Sequence, residues 1–329
     1  MSDTILSLNN VYKTFFKKTN GFFENETNIY QVRAVEEISF ELYNEEVLGI
    51  VGESGCGKTT LTRLILRLIT PETGDIIFQD EDIFSFDKIE LKKFRSKVRK
   101  IFQNPDASLN PGMKIKDILF EVSNIHSDIS SKEKLIKITK LLYNFGLDED
   151  HFNRYPHELS TGQKKRIGIV RAFIVPPKLL LADEPFSGID ASQINHILEF
   201  MMKLMDKHKI SMIFISHDIN LVQHIADRII VMYNGSIMES MRKSKAKVFN
   251  FHHPYTGKLF NSKNFNIVEP SSNMIIPMTH KKEFEEDKGC RYRKCCDMYY
   301  AKNKPAMCKY EKPALKKLSN FNSAACHFI

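Results

Sequence analysis

The chain has 329 residues, 42% of them hydrophobic and 27% charged, an ordinary globular composition with enough apolar material for more than one domain. No apolar run approaches the length needed to cross a bilayer, and the start from Met1 to Asn10 lacks the basic-then-apolar pattern of a signal peptide, so the expected location is the cytoplasm. The net charge of +8 is uneven: residues 241–329 hold 18 Lys and Arg against 7 Asp and Glu, an excess read as a solvated basic surface rather than a nucleic-acid or lipid site.

In chain order, Ser7 to Val11 reads as a strand and Ala34 to Leu42 as another, an antiparallel edge, with the polar, Asn-rich stretch Lys17 to Tyr30 expected to be a loop insertion. The apolar run Val47 to Val51 then meets Gly52-Glu53-Ser54-Gly55-Cys56-Gly57-Lys58-Thr59, followed by Thr60 and an amphipathic helix. This is G-x-x-x-x-G-K-[ST] between a buried strand and a helix. The glycines let consecutive N–H groups turn toward one anion, and the helix N-terminus adds its positive dipole end. The pattern is a phosphate cradle. Lys58 is expected to reach the β/γ-phosphates of ATP and Thr59 to ligate Mg²⁺, with Cys56 contributing only its backbone N–H. Tyr12, Phe15, Phe16 and Tyr30 are candidates to stack on adenine, Phe15 the chosen one.

Beyond a turn at Pro71 to Gly74 come strands at Asp75 to Phe78 and Lys100 to Phe102, the latter ending at Gln103 before the breaker-rich Asn104 to Pro111. Helical periodicity runs from about Ile115 to Leu147 with Gly146 as a C-cap. Ser160 reads as an N-cap for a helix through Arg171, and Lys178 to Ala182 as a buried parallel strand ending in Asp183-Glu184. Helix 191–208, strand 211–215 and helix 218–226 alternate after it. A hairpin turning at Asn234-Gly235 closes the core near residue 240.

Six ordered motifs now resemble those of ABC-type ATPases: Gly52 to Thr59, Gln103, Leu159 to Gln163, Leu179 to Glu184, Ser187 to Asp190, and Ser216-His217-Asp218. Gln103 to Pro111, Arg154 to Glu158 and His253-Pro254-Tyr255-Thr256 are more narrowly similar to the oligopeptide and dipeptide importers, and the likeness runs from about Leu6 to Cys326. The resemblance implies an α/β fold: a RecA-like nucleotide-binding domain with antiparallel β and helical subdomains (1–250, the helical part about 104–162) and a small Cys-rich extension (251–329). It implies Asp183, Thr59 and Gln103 as Mg²⁺ contacts, Glu184 as the group that activates water, and His217 as a γ-phosphate contact, so that Glu184, His217 and Gln103 form the catalytic set. It also implies that Ser160, Gly162 and Gln163 bind ATP held by a second, homologous ATPase subunit. Thr161 departs from the usual glycine there, and a heterodimer with unequal sites is the expectation. Two transmembrane permease subunits and an extracytoplasmic peptide-binding protein complete the implied assembly, with this chain peripheral on the cytoplasmic membrane face and no nucleic-acid partner.

Cys56 lies in the phosphate loop, while the remaining five of the six cysteines fall between Cys290 and Cys326, beyond an Asn/Ser/Pro-rich linker ending near Pro277. Clustering in a reducing compartment points to metal rather than disulfides. By resemblance, Cys290, Cys296, Cys308 and Cys326 hold a [4Fe–4S] cluster, with Zn²⁺ as the alternative, Cys295 as a spare thiol, and a structural role distant from the ATP chemistry. A nickel or other small-solute importer and a soluble non-transport ABC ATPase are the competing functions.

Overall fold

The computed structural model describes residues 3–20, 27–126, 130–244, 246, 248–261, 288–319 and 321–329. The linker expected through Pro277 lies largely outside the described residues. Strands β1 (Thr4–Asn20) and β2 (Thr27–Tyr43) form a long antiparallel ribbon, and β1 also pairs with β4 (Thr73–Phe78), which carries the short β5 (Glu81–Asp82). The expected loop over Lys17 to Tyr30 is therefore corrected at both ends, where Lys17 pairs with Tyr30 and Asn20 with Thr27; its middle, residues 21–26, lies outside the described residues. Backbone hydrogen bonds make that pairing, and side-chain polarity does not report them.

The second sheet holds β3 (Val47–Val51), β6 (Val98–Ile101), β7 (Leu179–Asp183), β8 (Ser211–Ile215), β9 (Arg228–Tyr233), β10 (Ser236–Arg242), β11 (Lys316–Lys317) and β12 (Ser323–Ala324). Their order is β11-β12-β10-β9-β3-β8-β7-β6, parallel from β9 through β6. Strands β3, β7 and β8 are buried at every position, as central strands covered on both faces must be. Alternate residues feed two cores. Leu48, Ile50, Leu181, Ile213 and Ile215 pack toward the antiparallel sheet and α1 (Lys58–Ile65). Val47, Val51, Leu180, Ala182 and Phe214 face the opposite core.

That second core takes α3 (Ile115–His126), α4 (Ser131–Asn144), α5 (Thr161–Phe173) and α6 (Ala191–His208). Gly146, at φ +69° just past α4, acts as the expected C-cap, with the Leu147 N–H returning to the Leu142 carbonyl at 3.0 Å. Helix α2 (Lys88–Lys97) runs directly into β6, so the strand expected at Lys100 to Phe102 begins two residues earlier, at Val98. Asp87 and Glu90 form its capping box.

The sheet does not end with the hairpin near residue 240. After α7 (Ile219–Ile225) and α8 (Pro254–Asn261), the chain resumes with α9 (Asp297–Ala301) and α10 (Ala306–Tyr310), then places β12 against β10, pairing Ala324 with Glu239. The buried Glu239 carboxylate accepts the His252 and His253 N–H groups at 2.7 and 3.1 Å. The cysteine-bearing segment is thus packed on the main sheet.

Candidate active site

Parallel register brings the chemistry to one edge. Ile101 pairs with Ala182, Asp183 with Ile215, and Ile50 with Ile215. The C-terminal ends of β6, β7, β8 and β3 therefore deliver Gln103, Asp183-Glu184, His217 and the phosphate loop side by side. The carboxyl edge of a parallel sheet is where α/β folds place ligands.

Only glycine fits at two loop positions. A Cβ on Gly52 would lie 2.2 Å from the Met232 carbonyl oxygen, and one on Gly57 2.1 Å from the Ala34 oxygen, at φ +154° and +111°. No side chain caps α1 at Gly57, so its first N–H groups remain available to an anion. Lys58 Nζ donates to the Gly52 and Glu53 carbonyls at 2.7 and 2.9 Å. Cys56 does more than offer its N–H: the buried thiol lies 3.5 Å from Lys58 Nζ, and burial pushes its ionisation upward, keeping it a neutral filler beneath the loop. Ser54, Gly55 and Thr59 are exposed, while Thr60 is half-buried.

Glu184 stands at φ +49°, unusual for a residue with a Cβ. Its N–H bonds the Ile215 carbonyl at 2.9 Å, and its carbonyl accepts Lys165 Nζ at 2.9 Å. Its carboxylate takes the His217 N–H at 2.9 Å and lies 2.8 Å from His217 Nδ1. The His217 side chain is 78% exposed and Glu184 only 11%, so a sheltered carboxylate is fixed at the rim by a residue open to solvent. Asp183 is buried and pairs with Lys100 Nζ at 2.8 Å. Gln103 is exposed on the loop after β6.

Lys100 and Lys165 were not among the sequence candidates. Lys100 sits on β6, one strand from Asp183, and Lys165 is on α5 with a second bond to Ser187 Oγ at 3.0 Å. Burial depresses the Lys165 ionisation, opposed by Glu184 and Asp183. No local motif marks either lysine, because their partners lie on other elements.

Ser160 caps α5 as expected: Oγ accepts the Gln163 N–H at 3.2 Å, and Gln163 Oε1 accepts the Ser160 N–H at 2.9 Å. Gln163 Nε2 is held 2.9 Å from His151 Nε2. Gly162 approaches the Gly188 carbonyl, where a Cβ would lie at 3.1 Å. These residues make no hydrogen bond to the phosphate loop of their own chain. Thr161, in the first turn of α5, is exposed and has no positive φ, so its Cβ does not strain the backbone. Phe15 is 37% exposed and pairs with Val32 on β2, two residues from the Ala34 that touches Gly57; Lys13 Nζ lies 5.7 Å from its ring centre.

Residues 35–187 match the family described as ABC transporter. Along nearly its whole length the chain is 37% identical to the oligopeptide transport ATP-binding protein AppF of Bacillus subtilis, covering 99% of this chain and 97% of that one. The chain belongs to the ABC transporter ATP-binding proteins. It is also 39% identical to the dipeptide transport ATP-binding protein DppF of Escherichia coli, over 70% of this chain and 69% of the relative. Among solved structures it is similar to the dimeric ATP-binding cassette MJ0796 in a post-hydrolysis state with ADP and Pi, at TM-score 0.63 and 25% identity, covering 72% of this chain and 98% of that one. An ABC ATPase binds and hydrolyses ATP with Mg²⁺, and the open helix N-terminus, Lys58 and the buried Asp183 fit that requirement. Held there, Mg²⁺ would neutralise phosphate charge.

The four candidate thiols, Cys290, Cys296, Cys308 and Cys326, are all buried. Burial raises the ionisation of Cys290 to about 11 and also raises Cys308 and Cys326; charge on the other members of the set adds to each. Cys295, the adjacent spare thiol, is half-buried and bears on the ionisation of Tyr233 and Tyr292, the latter also influenced by Cys296. Among the described residues, no group of three or more His, Cys, Asp or Glu is arranged to hold a metal ion. None of their helices is long and apolar enough to cross a membrane.

Proposed function

We propose that this ABC ATPase energises import of oligopeptides or dipeptides. The observation that carries its motor role is the side-by-side placement of Gln103, Asp183, Glu184 and His217 with the phosphate loop. The peptide class is supported by similarity to peptide-transport relatives over nearly the whole chain. In this reading Glu184 accepts a proton from the attacking water, His217 contacts the γ-phosphate, and Gln103, Thr59 and Asp183 attend the Mg²⁺. Gly52 to Thr60 cradle the phosphates and Phe15 stacks on adenine. Ser160, Gly162 and Gln163 complete the site of a second ATPase subunit, and the chain sits on the cytoplasmic face of the membrane against two permeases that receive peptide from a binding protein. Turnover by the membrane-reconstituted complex tests this. Stimulation by binding protein loaded with peptide is expected, and stimulation only by nickel-loaded or other non-peptide carriers overturns the peptide class.

Thr161 favours a heterodimer with unequal sites, the composite site containing this loop being the slower one. The four buried thiols are proposed as the seat of a [4Fe–4S] cluster, with zinc as the alternative. Their common burial in one packed segment and the likeness of their spacing to the peptide-importer family support it. Iron and acid-labile sulfide in anaerobically purified protein test it, and absence of both overturns it.

A further inference from the structure

The C-terminal extension reaches the phosphate loop through a tyrosine hydroxyl. Tyr255, in the first turn of α8, is 2% exposed, and its oxygen accepts the Glu53 N–H at 3.1 Å. That N–H belongs to the same peptide unit as the Gly52 carbonyl, which accepts Lys58 Nζ at 2.7 Å. In a planar trans peptide the two groups point to opposite sides. Fixing the N–H on Tyr255 therefore aims the carbonyl at Lys58. Gly52 gives this peptide more rotational freedom than any other residue would, so the orientation depends on what holds it.

Tyr255 is itself held from three directions. Its ring packs on Tyr233 at the end of β9, at 4.9 Å between centres, and on Tyr292 of the cysteine segment, at 5.2 Å; Tyr233 and Tyr292 are 5.4 Å apart, closing the triangle. Its N–H bonds His253 Nδ1 at 3.0 Å. Burial pushes its hydroxyl ionisation upward, so the oxygen stays a neutral acceptor. A second line converges on the loop from the same segment: Arg291 donates to the Asn234 carbonyl and pairs with Glu36, while the adjoining Gly235 N–H bonds the Cys56 carbonyl at 2.9 Å.

We propose that Tyr255 is a positioning residue of the phosphate loop, holding the Gly52–Glu53 peptide so that the cradle and Lys58 are pre-arranged before ATP arrives, with the cysteine segment buttressing it through Tyr292. The extension thereby sets nucleotide affinity. The proposal rests on the loop's ATP-binding role and is independent of the transported solute.

The test is Tyr255→Phe in the full chain, which keeps the ring and removes the acceptor. Calorimetric affinity for a non-hydrolysable Mg·ATP analogue is expected to weaken roughly three- to tenfold, as loss of one hydrogen bond that pre-orders a site predicts. KM for ATP rises with it while kcat at saturation in the assembled complex stays within about twofold. A merely structural tyrosine gives the opposite pattern, a lower Tm with unchanged affinity, and that result overturns the proposal. Tyr292→Leu is expected to weaken affinity in the same direction by a smaller factor; unchanged affinity removes the buttress. If Tyr255→Phe does not fold, amide exchange in the nucleotide-free wild type decides: the Glu53 N–H is expected to be protected, and exchange at the rate of open loop amides overturns the assignment.

Discussion

The edge of the parallel sheet and the C-terminal extension both bear on the phosphate loop, yet they are assembled by different physics. At the sheet edge, register fixes the neighbours: once β6, β7, β8 and β3 pair, Gln103, Asp183, Glu184 and His217 are brought together whatever surrounds them. The extension is held by the β12–β10 pairing and by packing of Tyr255 and Tyr292 into the core, and single polar atoms then fix its register: Glu239 to His252 and His253, Tyr255 to Glu53, Arg291 to Glu36. Substitutions at the first region should alter rate with the fold intact, and substitutions at the second should alter stability or affinity with the chemistry intact.

The sharpest form of that contrast is Glu184→Gln. The amide keeps the shape and a hydrogen-bond acceptor for the His217 N–H but cannot take a proton, so turnover of the complex should fall about 10²–10⁴-fold. Nucleotide binding and Tm should remain near wild type. Steady-state hydrolysis alongside calorimetric binding checks both, and a loss of binding equal to the loss of rate would erase the distinction between the regions.

The counterpart where the extension docks on β10 is Glu239→Ala. Its carboxylate is fully buried and serves two backbone N–H groups, and charge-assisted bonds contribute about 1.5–3 kcal/mol each. Removing it should cost about 3 kcal/mol or more in denaturant unfolding. At saturating ATP, kcat should change little while the folded fraction is maintained.

His253 gives the extension a pH signature. Burial holds its imidazole at about 4, below the ordinary 6.5. The folded state thus refuses a proton that the unfolded chain accepts, so the stability linked to this group is complete above about pH 6.5 and is lost as pH falls toward 4. The full span amounts to about 3 kcal/mol. Unfolding measured across that window should show the decline, and His253→Asn, which can still accept the Tyr255 N–H, should flatten it.

These contrasts explain what could be read from residue order. Motifs at strand ends are local: Gly52 to Thr59, Asp183-Glu184 and Ser216-His217 each carry their reason within a few residues, and the helix read from Ser160 through Arg171 announces itself by its cap. The ribbon beyond Lys17 was missed because its pairing is made by backbone groups. Lys100, Lys165 and Tyr255 were missed as site residues because each acquires its role only from a partner on another element; the Tyr255–Glu53 bond spans 202 positions. The cysteine segment lies far in sequence from the ATP chemistry, and sequence distance says nothing of a chain that folds back onto β10.

The smallest expected effect addresses the signature loop. Thr161 sits in an exposed first helical turn without positive φ, so Thr161→Gly relieves no backbone strain and should itself cost about 0.5–1 kcal/mol of helix stability. If the composite site built with this loop is the slow half of a heterodimer, removing the side chain can restore only that half. Turnover of the complex should then rise by no more than about twofold, equivalent to about 0.4 kcal/mol in the barrier. Single-turnover measurement of each site separates the outcomes. A gain confined to the site carrying Thr161 supports unequal halves, a gain at both implies that the loop acts through the dimer as a whole, and no gain at either removes Thr161 as the cause of asymmetry.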